Sequence, residues 1–334
     1  MSVASGVGSL PGENAEEYAE AVRIVLGELP DLPHLPELPG RGATASMTGR
    51  ALAVVATLGA DLQPAGWRLT DAAGIDHRRA RSLLAQDLDA FEEQAQGLTG
   101  AFKIQVTGPW TLAATVEKPR GDKVLSDHGA RRDLAQALAA GVTEHVADVR
   151  RRLSGVERLV VQVDEPALTA VLNAQIPTAS GFGRHRAVHP PELSEALGWV
   201  LEAISGAGGE PWVHACASDT PLALLRGAGA RGLSVDLAMV SAVDSEVLAG
   251  ALDVGETVAL GVVPALEPVG YPGPPTATQV TERVLRWVDM LGLDLEAVSS
   301  RVVLTPSCGL AGASPTWVRT ALANCREAAV NLSG

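Results

Sequence analysis

The chain has 334 residues, 46% of them apolar, and a formal net charge of -13 from 39 acidic and 26 basic side chains. That length holds one large domain or two medium ones, with ample apolar content for a core. Such an acidic balance disfavours nucleic acid and anionic membrane as partners, since both require basic surfaces, and the aromatic content of 3% is too low and dispersed for a base-stacking surface. No apolar run of about 18 uncharged residues marks a membrane span. The segment from Met1 to Gly6 has neither a basic region nor a signal-like apolar stretch, and an odd count of 3 cysteines argues against a disulfide framework. A reducing, cytoplasmic setting is the expectation.

Strand-like and helix-like segments alternate along the whole chain. Residues 3–9 predict a first strand, ending in Gly8-Ser9-Leu10-Pro11-Gly12. Residues 13–29 predict a helix with Ala15, Tyr18, Ala19, Val22, Val25 and Leu26 on one face. The prolines between 30 and 39 exclude a helix and leave room for a short second strand around Leu35. A hairpin is predicted near Pro64 to Arg68, then a long helix over 76–98, a strand over 101–107, a helical start at Gly108-Pro109-Trp110-Thr111 and a long helix over 127–153. A strand over 158–164, a helix over 191–207 and a buried strand over 211–216, ending in Val213-His214-Ala215-Cys216, follow. Beyond them come a short helix over 220–226, strands over 232–236, 256–263 and 301–305, and helices over 276–291 and 315–330.

A run of βα units this long suits a parallel sheet, open or closed. No Gly-x-Gly-x-x-Gly or phosphate-loop pattern follows the first strand, which counts against a nucleotide-binding open sheet. No linker or low-complexity stretch divides the chain. The expectation is a (βα)8 TIM barrel, one domain spanning 1–334.

Residues i and i+2 of a strand point to the same side, so His214 and Cys216 in Val213-His214-Ala215-Cys216 present an imidazole and a thiol to one point. Taken alone, a His-x-Cys pair is mostly chance, and a buried free cysteine is an ordinary small apolar filler. Cys308, in the loop leaving the strand over 301–305, and Asp236, ending the strand over 232–236, add weight from equivalent strand ends. Nitrogen, sulfur and carboxylate ligands suit Zn(II), and a set scattered along the chain is more typical of a working site than of a structural knuckle. Ser9 and Asp164 also fall at strand ends, the rim where barrels carry active sites, although helix caps sit there too.

Gly8-Ser9-Leu10-Pro11, Thr107-Gly108-Pro109-Trp110-Thr111, Gln162-Val163-Asp164-Glu165-Pro166-Ala167-Leu168, His214-Ala215-Cys216 and Pro306-Ser307-Cys308-Gly309-Leu310 run in this order. Together they resemble the C-terminal catalytic barrel of cobalamin-independent methionine synthase. The resemblance implies zinc ligation by His214, Cys216 and Cys308, with Asp236 where the family usually has Glu. It implies that Ser9 holds the carboxylate of homocysteine and Asp164 its ammonium. Glu37 falls near a second acidic contact, with a solvated loop carboxylate as the alternative.

Departures matter as well. The family's N-terminal barrel has no counterpart, nor has its folate-stacking Trp in Leu112-Ala113-Ala114-Thr115-Val116, and no His lies in Gly261-Val262-Val263-Pro264-Ala265-Leu266-Glu267. A leaving folate nitrogen needs a general acid. The expected donor is therefore methylcobalamin or a corrinoid protein, with zinc-dependent methyl transfer to homocysteine as the activity. Transfer to another small thiol, or a non-enzymatic zinc- or thiol-binding barrel, stays open. His185 and His189 are expected to be solvated loop residues, and Cys325 to be packing.

Overall fold

The computed structural model describes residues 1–270 and 273–333. In chain order the elements are β1 (Val3–Ala4), α1 (Ala15–Glu28), α2 (Met47–Val54), β2 (Gly59–Gln63), β3 (Gly66–Thr70), α3 (Ile75–Gln94), β4 (Gly100–Thr107) and α4 (Pro109–Thr115). Then come α5 (His128–Arg152), β5 (Val156–Asp164), α6 (Leu168–Leu172), α7 (Pro190–Gly206), β6 (Glu210–His214), α8 (Leu222–Gly227) and β7 (Gly232–Asp236). The chain finishes with α9 (Ala242–Asp253), β8 (Thr257–Val263), α10 (Ala277–Met290), α11 (Leu295–Val298), β9 (Val302–Pro306) and α12 (Pro315–Leu332).

Seven strands pair in the order β1-β9-β8-β7-β6-β5-β4, each pair parallel. The proline-rich segment between α1 and α2 closes the gap. On one side Leu35 N–H donates to Lys103 O and Lys103 N–H to Pro33 O, both at 2.9 Å; on the other Glu37 N–H donates to Gly8 O at 3.1 Å and Leu10 N–H to Glu37 O at 2.8 Å. Pro33, Pro36 and Pro39 have no N–H to give, so this stave survives only as the isolated bridges His34–Lys103 and Ser9–Glu37. With it the barrel has its eighth stave, as expected of a (βα)8 fold. The first strand is shorter than the predicted 3–9, because beyond Ala4 its partner is this irregular segment. The predicted hairpin is the antiparallel pair β2–β3, outside the barrel.

Most of the apolar core lies between sheet and helices. A second, smaller cluster of Leu32, Val160, Trp212, Ala259 and Val303 plugs the barrel. Two residues further along their strands, Gln162 and His214 share the inward face of Val160 and Trp212. The barrel therefore changes from apolar to polar toward the carboxyl ends of its strands.

Candidate metal centre

β6 ends at His214, and two residues later Cys216 lies in the loop that leaves it; Cys308 lies in the loop that leaves β9. A ring nitrogen of His214 and the two Sγ atoms all lie within 4.8 Å of one another. The sulfurs are 3.3 Å apart. His214 is 4% exposed. Its Nδ1 sits 3.0 Å from Ser234 Oγ on β7, while Nε2 is buried without a hydrogen-bond partner among the described residues. A buried, unsatisfied ring nitrogen is costly unless something occupies its lone pair. The Cys216 thiol as donor, and then His214, hold Cys308 well below the ordinary thiol range; the same pairing and burial push Cys216 up. One sulfur of the pair is thus predisposed to be a thiolate.

Asp236 lies outside this group. Its carboxylate accepts from Ala238 N–H in its own turn at 2.9 Å, and its negative charge helps raise Cys216. The expected fourth ligand is a near neighbour whose short arm is engaged by local backbone.

Ser9, Glu37 and Asp164 converge on the same mouth. A Cβ at Gly309 would lie 2.1 Å from Ser9 Oγ, so only a glycine beside Cys308 leaves room for that hydroxyl. Ser9 bridges Glu37 across the first two staves. Glu37 is buried, not solvated, and pairs with Arg50 at 3.2 Å. Arg50 in turn contacts Asp87 at 2.5 Å, and Asp87 takes both arms of Arg41 at 2.7 Å. Asp164 is paired in register with His214 and is half-buried. Burial pushes its carboxyl up to about 7, against the pull of His214 and Lys103.

Several residues that sequence reasoning passed over complete the surroundings. Glu165 accepts from Trp110 N–H (2.9 Å), Thr111 N–H (2.8 Å) and Thr111 Oγ1 (2.7 Å), capping the start of α4. A Cβ on Gly108 would sit 2.3 Å from its carboxylate. Lys103, 1% exposed, and Gln162, also 1%, lie beneath the mouth. Trp110 is buried, with its indole N–H on Leu193 O at 2.9 Å. His185, expected to be solvated, is buried beside Asp122 at 3.2 Å. His189 is exposed just before α7, and Cys325 is buried packing, as expected.

A closed parallel barrel with an imidazole and two thiols converging at the carboxyl ends of its strands defines a class, a (βα)8 enzyme with a donor set that could hold a metal ion. The family profile described as the cobalamin-independent synthase catalytic domain matches residues 92–331, and the chain belongs to that family. A methionine synthase from Thermoplasma acidophilum is 28% identical over 120 residues. That stretch is 35% of this chain and 28% of the relative, so under a third of the relative's length is spanned. The B12-independent methionine synthase of Shewanella sp. W3-18-1, solved with selenomethionine, has the same barrel: TM-score 0.63 and 16% identity over 99% of this chain and 97% of that one.

The family's cobalamin-independent character corrects the corrinoid donor expected from the sequence. That expectation leaned on a missing His and a missing Trp. An absent side chain does not fix a donor, because the proton for a leaving nitrogen can come from another acid at the mouth or from water. Among the described residues, no helix is long and apolar enough to cross a membrane.

Proposed function

We propose that residues 1–334 act as one catalytic barrel that transfers a methyl group to the thiol of homocysteine, giving methionine, with zinc held by His214, Cys216 and Cys308. The observation that carries this reading is the meeting of one imidazole nitrogen and two sulfurs within 4.8 Å, beside a serine and a carboxylate suited to an amino acid. The donor set fits zinc, and the sulfur separation of 3.3 Å is close to the ~3.8 Å of two thiolates on a tetrahedral ion. When bound, zinc supplies a Lewis acid that lets the acceptor thiol lose its proton and stay nucleophilic at neutral pH.

The chain's own groups do the rest. Ser234 holds the His214 ring through Nδ1 and leaves Nε2 free to serve as the ligand nitrogen. His214, Cys216 and Cys308 would hold the ion as three protein ligands, and a site with three protein ligands would keep a position open for the acceptor sulfur. Ser9 Oγ donates to the amino-acid carboxylate, Asp164 accepts from its ammonium, and Glu37, held by Arg50, adds a second acidic contact. The selenomethionine in the Shewanella enzyme is a close analogue of the proposed product. The family's cobalamin-independent character supports a donor other than a corrinoid, and methyltetrahydrofolate is the first to test.

The experiment joins metal analysis to turnover. Purified protein should carry about one zinc per chain and form methionine from homocysteine and methyltetrahydrofolate. Cys308→Ala should lose both the metal and the product. A folded protein that binds no zinc, or whose methionine formation survives exhaustive chelation, would overturn the reading.

A further inference from the structure

Beneath the mouth lies a buried set of hydrogen bonds that the proposed chemistry does not use. Lys103 projects from β4 into the barrel, where its Nζ donates to Val7 O at 2.8 Å and to Gln162 Oε1 at 3.0 Å. Gln162, two residues before the end of β5, donates through Nε2 to the same Val7 O at 2.9 Å and to Asp164 Oδ1 at 2.7 Å. Val7 leads into Gly8 and Ser9. The segment that follows β1 and the non-neighbouring stave β5 are thus tied together through β4's lysine and one amide.

The chemistry of the groups makes this arrangement one-way. Lysine has donors and no acceptor, so the amide of Gln162 must turn its oxygen toward Nζ. Its NH2 is then committed to Val7 and Asp164. Flipping the amide would set NH2 against Nζ and leave the Asp164 oxygen facing a carbonyl oxygen, a double loss in a dry interior. Asp164 keeps its second oxygen for a ligand.

We propose that Lys103 is a positioning residue: through Gln162 it forms a strut that sets the separation between Ser9 and Asp164, the two ends of the amino-acid cradle. The inference rests on the proposed function, in which those two side chains hold the acceptor. Lys103 touches no reacting atom. It makes the barrel selective for an acceptor with both a carboxylate and an ammonium, because only such a molecule reads the distance between the two ends.

The test compares two acceptors on the zinc-loaded full chain, homocysteine and 1-propanethiol, by calorimetric titration and steady-state kinetics. Lys103→Met should weaken homocysteine binding about ten-fold or more, the scale of a lost hydrogen bond to a charged group. KM for homocysteine should rise with kcat at saturation nearly unchanged, zinc content should hold, and propanethiol affinity should not move. Gln162→Leu should reproduce this pattern if Lys103→Met does not fold. Equal weakening of both thiols, a fall in kcat alone, or collapse of both variants would overturn the strut as a cradle-setting device. Asp164→Ala separates the two layers of the argument. If it leaves homocysteine binding intact, the cradle itself is wrong; if it weakens binding while Lys103→Met does not, only the strut is wrong.

Discussion

Removing the carboxylate of Asp87 should destabilise the barrel more than any comparable surface change. Asp87 is 1% exposed and receives both arms of Arg41 at 2.7 Å and one arm of Arg50 at 2.5 Å. The buried cluster holds two cations, Arg41 and Arg50, against two anions, Asp87 and Glu37. Arg41 also lies 4.7 Å over the ring of Tyr18, whose hydroxyl donates to Asp87 O. Asp87→Ala leaves one guanidinium in excess, with side-chain exposures of only 7% and 6% at the two arginines. Breaking a buried pair from one side costs about 3–5 kcal/mol, because the remaining charge has lost water as well as its partner. Urea unfolding at neutral pH reads this directly. The double variant with Arg41→Met restores the balance and should recover roughly 2 kcal/mol of the loss. A single-variant cost below about 1 kcal/mol, the range of exposed pairs, or strict additivity in the double variant, would refute the reasoning. Since Arg50 also holds Glu37, folded Asp87→Ala protein should bind the acceptor more weakly.

Three further outcomes are expected. Cys216→Ala should lose zinc while Asp236→Ala retains it, as read by metal analysis after dialysis; loss of zinc in the Asp236 variant would show that its carboxylate leaves Ala238 to join the ion. L-methionine, whose own groups do not titrate in the range, should bind less tightly as pH falls below neutrality. Asp164 is raised to about 7 mainly by burial, so acid would neutralise the proposed partner of the ligand's ammonium; each pH unit below that value should cost up to about ten-fold in affinity, and a calorimetric profile flat down to about pH 5 contradicts it. Gly309→Ala should displace Ser9, since the new Cβ would lie 2.1 Å from Oγ; an unchanged KM for homocysteine argues that the hydroxyl has no part in holding the acceptor.

The strands of the barrel were legible because parallel, doubly covered strands are nearly continuous apolar runs, as in Leu159 to Val163 and Val258 to Val263. The turn chemistry around Pro109 and Pro315 marked helix starts equally well. His214, Cys216 and Cys308 stood out because strand ends collect on one rim of a barrel, so sequence position translates into place. Asp236 shared that rim, yet its carboxylate has a nearer partner in its own turn, which spacing does not reveal. Lys103 and Gln162 were illegible for a different reason. Their partners lie 96 and 155 residues away at Val7 O, and only closure of the barrel brings them together. His185 is buried despite its place in a loop, because two loops pack on each other around Asp122, a contact that local sequence does not carry.

Asp164 and Glu165 are consecutive, yet one serves the mouth and the other fastens the first turn of α4. Sliding β5 by a single position would turn Glu165 inward and put Pro166, which has no carboxylate, where Glu165 now accepts from the amides of α4. Anchorage of a helix on the outside and alignment of a carboxylate on the inside are therefore one constraint, and a polypeptide that threads this stave wrongly forfeits both at once.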